Sequence, residues 1–292
     1  MSLSIIQGAL EQGLIYAIMA VGIFISFRVL NIPDLTVDGT FTLGTSVSAV
    51  FAFNGYPLLG IVISILAGAL AGCVTGFLQT KMKFQPILAG ILTMTALYSV
   101  NLRIMQKPNL SLFDKKSIFT YVESFLGDST NLVVIAFILV IFTVAIHLFL
   151  KTQLGMSLRA TGDNEDMVRA SSINADAMKI MGLGIANALV ALSGAVLAQY
   201  QGFSDVSGGI GTMVIGLASI IVGEAIFGRK SILRNLIAVS VGAVLYRFIL
   251  TIALRVGFEA GDLKLLSAVL VGIAICIPTV RTYIVKRRNR RA

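Results

Sequence analysis

The chain has 292 residues and a formal net charge of +9, and 57% of its residues are hydrophobic while only 13% are charged. A soluble domain carries roughly twice that share of charged residues. The composition therefore excludes an ordinary soluble enzyme or binding module and indicates an all-α polytopic membrane protein. Two cysteines, Cys73 and Cys276, lie in apolar runs and form neither a disulfide framework nor a metal-ligand spacing, so no metal site is predicted.

Apolar runs predict about nine transmembrane or re-entrant helices, since a bilayer core needs about 20 residues per helix. The segments are 5–27, 35–54, 57–79, 86–106, 131–150, 179–201, 208–227, 232–254 and 262–281. The second is rich in Thr, Ser and Gly, which makes it the best candidate for a broken or re-entrant helix lining a polar cavity. The N-terminus has no positively charged n-region, so the first segment is predicted to be a permanent span. No linker divides the chain, which predicts one transmembrane domain over residues 1–292.

The distribution of cations predicts the orientation of these spans. With an external N-terminus, sixteen cations fall on the cytoplasmic side and six on the other, as the positive-inside tendency requires. The cytoplasmic set is Arg28, Lys81, Lys83, Lys151, Arg159, Arg169, Lys179, Arg229, Lys230, Arg234, Arg281, Lys286, Arg287, Arg288, Arg290 and Arg291. A basic tail (282–292) can indicate nucleic-acid binding. Directly after an apolar segment it is more typical of a cytoplasmic membrane flank, so we expect a cytoplasmic C-terminus and no nucleic-acid partner.

Polar residues inside the spans are few, and each has a structural and a functional interpretation. Asp34 and Asp38 are four apart, share one face if both are helical, and could either cap a helix or line a pathway. Arg247 lies in the eighth span, and the spans are otherwise almost free of charge. The pathway-lining candidates, for which interhelical hydrogen bonding is the alternative role, are Asn31, Asp34, Asp38, Thr40, Asn101, Asn187, Ser193 and Gln199.

A glycine stripe in the third span predicts tight helix packing. Gly68, Gly72 and Gly76 repeat every four residues, a spacing that lets two helix backbones approach closely.

The sequence contains no constellation of residues typical of a catalytic site. The stretch 223–231 comes close to a P-loop, but Arg229 stands at the lysine position and the stretch ends an apolar span rather than following a strand. The sequence thus predicts no enzyme active site and no nucleotide site of its own.

The longest internal connection, 151–178, concentrates charge in an otherwise apolar chain. Thr161, Asp163 and Asn164 are helix-capping residue types, so this stretch predicts a loop followed by a short helix from about 165 to 172. Met167, Val168 and Ala170 would form an apolar patch beside Arg169 on that helix. An exposed apolar patch framed by charge suggests a surface that docks on a partner protein.

Here the chain resembles the permeases of branched-chain-amino-acid-type ABC importers, whose cytoplasmic loop follows the pattern G-x-x-x-R-A-x-G-x-N-x-x-x-A-x-x-x-G-I. The residues that match it, with the Ser193-Gly194 step in the next span, are Gly155, Arg159, Ala160, Gly162, Asn164 and Ile173. The chain departs from the pattern at Val168, where Ala is usual, and at Ser172, where Gly is usual. "NIPDLTVDG" is a variant of the family's N-F-A-x-G, and "LTVDGTFTLG" and "LKLLSAVLVGIAICIP" are closest to a subgroup for aromatic or unassigned amino acids.

The resemblance implies a type II-like permease that imports a small solute, an amino acid, by alternating access. It implies two P-loop ATPase subunits that bind the ATP, an extracytoplasmic binding protein that delivers the solute, and a second permease copy, with a homodimer as the expectation. It places the assembly in the cell inner membrane. The implied ATPase-coupling residues are Gly155, Arg159, Ala160, Gly162, Asn164, Glu165, Arg169 and Ala170. The alternative is an ion-gradient-driven secondary transporter, which should show buried acids or arginines near the span centres.

Overall fold

The computed structural model describes residues 3–126, 130–229, 231–258, 260–262, 265–269 and 272. The helices are α1 (Leu3–Phe24, continued by a π-helical turn over Ile25–Val29), α2 (Thr36–Phe53), α3 (Pro57–Thr80), α4 (Pro86–Met105), α5 (Ile118–Leu126), α6 (Thr130–Phe149), α7 (Gln153–Asp163), α8 (Glu165–Ala170), α9 (Ala175–Gln201), α10 (Thr212–Phe227) and α11 (Ile232–Val256), followed by a 3₁₀ turn (Ala260–Asp262). Two short strands, β1 (Asn109–Ser111) and β2 (Phe203–Asp205), pair antiparallel. Within the described ranges six helices are long and apolar enough to cross a membrane, and α10 is a shorter apolar helix. The all-α polytopic membrane fold is confirmed.

Local sequence signals set several helix ends. Pro57 and Pro86 stand in the first turn of α3 and α4, where the missing N–H has no helical partner to lose. Gly202 and Gly257 follow α9 and α11 with φ of +74° and +109°. Glycine adopts this left-handed conformation without the steric cost of a Cβ, and it ends the two helices there.

Helix α9 is the centre of the bundle and packs against α1, α2 and α3. The glycine stripe of α3 faces it: a Cβ on Gly68 would lie 2.6 Å from the carbonyl oxygen of Asn187, and a Cβ on Gly72 would collide with the carbonyl oxygen of Leu183. A Cβ on Gly76 would lie 2.7 Å from the Cα of Ile180. The absence of side chains therefore lets the backbones of α3 and α9 touch along three turns.

The prediction of a broken or re-entrant second segment is wrong, because α2 is one unbroken helix of 18 residues. Its threonine and serine residues are buried among other helices, and several of their hydroxyl groups donate to backbone carbonyl oxygens. Ser48 Oγ donates to the carbonyl oxygen of Ala195, and Ser64 Oγ of α3 donates to that of Gly44. Burial of hydroxyl-bearing helices in the bundle explains the unusual composition of this segment.

The irregular backbone occurs instead at 206–211, just before α10. This segment runs antiparallel to α2: Ser204 Oγ donates to Thr45 Oγ1 over 2.9 Å, and the Gly209 N–H donates to Thr42 Oγ1 over 3.1 Å. The seventh predicted segment therefore becomes helical only at Thr212, four residues later than expected. Each of the first eight predicted segments contains one helix. Most of the ninth segment (262–281) and the whole basic tail (282–292) lie outside the described residues.

Candidate functional site

The charged connection 151–178 folds into two consecutive helices. The expectation of a loop up to about residue 165 is wrong, because Gln153–Asp163 forms α7 and only Asn164 separates it from α8. Thr152 Oγ1 accepts the N–H of Gly155 at the start of α7, and Asn164 Oδ1 accepts the N–H of Met167 at the start of α8. Both helices thus begin with a side-chain cap of the kind that stabilises short helices.

Helix α7 is held against the spans by its two glycines. A Cβ on Gly155 would lie 2.5 Å from the Cα of Leu150, and a Cβ on Gly162 would lie 2.9 Å from the Cα of Leu30. Ala160 is half-buried, whereas Arg159 is exposed. The two glycines of the implied coupling set therefore face the bundle, and close backbone contact fixes α7 to the ends of α6 and α1.

The outer surface of this helix pair is partly apolar. Leu154, Met156 and Met167 are each about half exposed, and Ala170 is exposed. The expected apolar patch loses one member, because Val168 is buried against the bundle. What remains is a set of separate exposed apolar side chains among charged residues at this end of the bundle, and such groups are typical of a docking surface.

Ion pairs tie α8 to the start of α9. Glu165 accepts hydrogen bonds from Lys179 over 2.5 Å and from Arg169 over 2.8 Å, and Arg169 also donates to Asp176 over 2.5 Å. Lys81, after α3, pairs with Asp176 over 3.4 Å. The ammonium group of Lys179, and then the guanidinium of Arg169, hold the pKa of Glu165 below its usual value. Arg169 thus makes its contacts within the chain and holds α8 in place.

A cavity of about 300 Å³ adjoins α7 on the same side of the bundle. Arg159 and Asp163 of α7 line it together with Arg28, Glu224 and Arg229 from the ends of α1 and α10. Glu224 is only 7% exposed, and it accepts hydrogen bonds from Arg28 over 2.7 Å and from Arg229 over 2.6 Å. Glu224 and its two arginine partners thus link the π-helical turn after α1 to the end of α10, and α7 borders the same cavity.

Asp38 lies on α2 but caps a different helix. One of its carboxylate oxygens accepts the N–H of Met213 over 2.8 Å and the hydroxyl of Thr212 over 3.0 Å, and the other accepts the N–H of Gly211 over 2.8 Å. These donors form the N-terminus of α10, where the helix dipole favours a negative charge. The carboxylate therefore fixes the point at which irregular backbone becomes helix.

Asp34 and Asp38 do not share a helical face as expected, because α2 begins at Thr36 and Asp34 precedes it. Asp34 accepts the N–H of Thr36 over 2.9 Å and a hydrogen bond from Asn187 of α9 over 2.7 Å. Both acids accept backbone N–H groups at the start of a helix, as the capping interpretation requires, and the role in pathway lining is compatible with this geometry and stays a prediction.

Two of the eight pathway-lining candidates meet at one cavity. Asp38 and Asn101 both line a space of about 230 Å³ between α2, α4 and the segment 206–211. Asn101 is 1% exposed; its Nδ2 donates to the carbonyl oxygen of Gly39 over 3.3 Å, and its Oδ1 has no hydrogen-bond partner. A buried amide oxygen without a donor is uncommon and marks a place where a donor can be accepted.

The other candidates lie elsewhere. Ser193 donates to the carbonyl oxygen of Ile15, and Gln199 bonds to Ser48, to the carbonyl oxygen of Pro57 and to the N–H of Ile118, so these residues join helices and loops. Asn187 joins Asp34 to α9, as described above. The Thr40 hydroxyl is buried without a partner, while Asn31 is exposed with φ of +56° after the π-helical turn.

The sequence interpretation missed one buried acid. Glu11 lies inside the first predicted span, is 4% exposed, and accepts hydrogen bonds from Tyr200 over 2.8 Å and from Gln7 over 3.0 Å. Arg247, which was noticed, donates to Gln12 nearby. The spans are therefore less free of charge than expected. The presence of Glu11 within the apolar run 5–27 was the sequence signal for this buried acid.

Comparison with known proteins identifies relatives along nearly the whole chain. The family described as branched-chain amino acid transport system / permease component matches residues 5–278. The chain is 41% identical over 267 residues to the tyrosine transport system permease protein of Clostridioides difficile, covering 91% of this chain and 88% of that one. It is 34% identical over 278 residues to an uncharacterized protein of Rickettsia prowazekii, covering 94% and 97%. It is 25% identical over 249 residues to a ribose import permease of Haemophilus influenzae, covering 84% and 75%. No solved structure matches the chain.

Proposed function

The chain belongs to the family of branched-chain amino acid transport system permease components, and from this premise we propose that it is the transmembrane subunit of an ATP-driven amino acid importer. It is a multi-pass cell membrane protein and a transport subunit of the ABC type. In the proposal it forms a single permease domain, binds no cofactor itself, and pairs with a second copy. Two P-loop ATPase subunits bind and hydrolyse the ATP, and an extracytoplasmic binding protein delivers the solute.

An aromatic amino acid is the proposed solute. Among the relatives described above, the tyrosine transport system permease is the most similar to this chain, at 41% identity, while the ribose import permease has 25%. The stretch "LTVDGTFTLG" at the start of α2 resembles the subgroup for aromatic or unassigned amino acids and supports the same solute. A binding protein that selects tyrosine or phenylalanine is the expected partner.

The observation that carries the ATP-driven mechanism is the α7–α8 pair. These two capped helices stand outside the spans, are fixed to α6, α1 and α9, and present the exposed side chains Leu154, Met156 and Met167. Arg28, Arg159 and the ion-paired lysines lie at the same end of the bundle, which supports a cytoplasmic location for it and an external N-terminus. A helix pair of this kind receives the movement of an ATPase and passes it to the spans.

Co-purification with the ATPase subunit tests this proposal. Met167→Glu places a charge among the exposed apolar side chains of α7 and α8 and should reduce ATPase binding, since burial of an unpaired charge in an interface is unfavourable. Phe113→Glu is the matched control, because Phe113 is 83% exposed near the β1–β2 end of the bundle, away from α8. Equal ATPase recovery with both variants and the native chain would show that α8 is not the docking surface.

The ion-gradient alternative receives some support from the buried acids Glu11 and Asp34 and from the partly buried Asp38. The oxygens of Asp38 hold three donors of α10, and those of Asp34 hold the start of α2 and Asn187, so both acids have structural roles. Uptake into proteoliposomes separates the two mechanisms. The importer needs ATP and the binding protein and continues when an ionophore collapses the ion gradients, whereas the alternative stops.

A further inference from the structure

The exposed surface of α4 mixes apolar and polar side chains. Only 28% of its span is buried, yet it is the least apolar of the six candidate spans, whereas α6 is 17% buried and is the most apolar. Thr95, Tyr98 and Ser99 lie on the exposed surface of α4. Ile87, Leu88, Ile91, Leu92 and Val100 are also exposed on α4, and Thr95 Oγ1 donates to the carbonyl oxygen of Ile91 over 2.8 Å. The contrast with the strongly apolar α6 makes α4 the better candidate of the two for a surface that borders a polar space.

The segment 206–211 lies beside this surface and points to the same conclusion. Ser207, Gly208 and Ile210 are exposed, although the segment runs alongside α2 down to Asp38. Asp38 lies about 22 Å along α2 from the outer end of this helix at Phe53, at 1.5 Å per residue. Irregular backbone at membrane depth is tolerated where it lines a water-filled cavity or is covered by protein.

The lining of the cavity between these elements is mostly apolar, and its polar members include Asp38 and Asn101, which supply acceptor oxygens at its wall. The buried Asn101 Oδ1 is an acceptor without a donor, and the Asp38 carboxylate adds negative charge. Among the described residues that line the cavity, no side chain is cationic. The Tyr98 ring, 49% exposed, borders the same space and offers an apolar surface. The volume of about 230 Å³ accommodates one end of an amino acid, and a second copy opposite would complete the enclosure.

We propose that α4 and the segment 206–211 form the solute-contacting wall of the pathway, with Asn101 accepting a hydrogen bond from the ammonium group of the amino acid and Tyr98 contacting its side chain. The proposal rests on the proposed function, because it places this wall between two permease copies. Asp38 holds the wall in shape through α10 and adds the electrostatic attraction for the ammonium group.

Cysteine labelling of the whole importer complex tests the position of the wall. In a chain carrying Cys73→Ser and Cys276→Ser, Thr95→Cys should react with a water-soluble cationic methanethiosulfonate reagent at least about tenfold faster than Phe137→Cys. Phe137 is 65% exposed on the strongly apolar α6, so it provides the lipid-facing control. Equal, slow labelling at both positions would place α4 in lipid and overturn the proposal.

Uptake measurements test the contact residues. Asn101→Leu removes the acceptor at similar volume and should lower uptake of the aromatic amino acid about tenfold, the factor expected for one hydrogen bond to a charged group. Stimulation of the ATPase by the binding protein serves as the readout of assembly and should be retained. Tyr98→Ala should reduce uptake, and Tyr98→Phe, which keeps the aromatic ring, should reduce it less.

Unchanged uptake with both Asn101→Leu and Tyr98→Ala would overturn the assigned contacts. Failure of the native complex to import any amino acid would instead refute the proposed function. The labelling experiment needs no transport, so it still reports whether α4 borders water in that case.

Discussion

Removal of the carboxylate that caps α10 is expected to destabilise the protein strongly. In Asp38→Asn one oxygen can still accept from Thr212 and Met213, but the amide NH₂ then faces the Gly211 N–H, and two donors oppose each other. An unsatisfied buried donor costs about 1–3 kcal/mol. Loss of the negative charge at a partly buried helix N-terminus costs up to about 2 kcal/mol more.

The expected loss of stability is therefore about 1–5 kcal/mol, or a decrease of about 3–15 °C in the unfolding midpoint. Thermal unfolding of the purified chain in detergent, followed by circular dichroism, measures it. Asp205→Asn is the matched control on the same segment: Asp205 accepts only the N–H of Ser207, over 2.6 Å, and an asparagine oxygen can replace it. A difference of about 2 °C corresponds to about 0.5 kcal/mol. If the melting temperature of Asp38→Asn lies within about 2 °C of that of the Asp205→Asn control, the capping argument is refuted.

Three further predictions use the same unfolding measurement. Gly72→Ala forces a Cβ into a backbone carbonyl of α9 and should cost about 1–3 kcal/mol, while Gly184→Ala, which meets mainly the end of a cysteine side chain, should cost clearly less. Ser172→Gly should be neutral or stabilising by up to about 1 kcal/mol because Ser172 has φ of +60°, whereas Ser171→Gly, with φ of −85°, should destabilise. Glu224→Gln removes the charge that pairs with Arg28 and Arg229 and should lower the free energy of unfolding by about 1–3 kcal/mol. It should also lower ATP-driven uptake more than it lowers ATP hydrolysis.

Ser172 also shows what the family resemblance contributed. The family pattern favours glycine at this position, and the structure places it in the left-handed region that glycine adopts freely. The position keeps the turn between α8 and α9 although its residue has changed. At Val168 the chain has a larger side chain than the alanine of the family pattern. This side chain is buried and packs against the bundle, whereas Met167 is the exposed large apolar side chain of α8.

Span positions could be predicted from the sequence because each depends on a local run of apolar residues. The glycine stripe was predictable for the same reason, since its four-residue period lies within one helix. The break was assigned to α2 instead of 206–211 because composition does not distinguish a polar helix surrounded by protein from an irregular segment. Helix α7 was missed because its low apolar content resembles a loop, and close backbone contacts at Gly155 and Gly162 hold it against the bundle.

The cavity at Asn101 could not have been predicted from the sequence, because its lining residues come from three separate parts of the chain. Asn101 was identified as polar, but its unpartnered oxygen depends on the side chain turning its nitrogen toward Gly39. Tyr98 gave no signal, since one aromatic residue in a span usually packs or faces lipid. Long-range contacts decide which polar residue of a membrane helix is structural and which is available to a solute.

Helix α10 connects the two regions that transport requires. Its N-terminus is fixed by Asp38 at the proposed pathway wall, and Glu224 near its other end joins the charged cavity beside α7. At 1.5 Å per residue its 16 residues span about 24 Å, less than the roughly 30 Å bilayer core. Because α10 is one unbroken helix, we expect it to move as a unit between these two contacts. A displacement of the elements around the charged cavity would then reach the segment 206–211, since that segment ends where α10 begins.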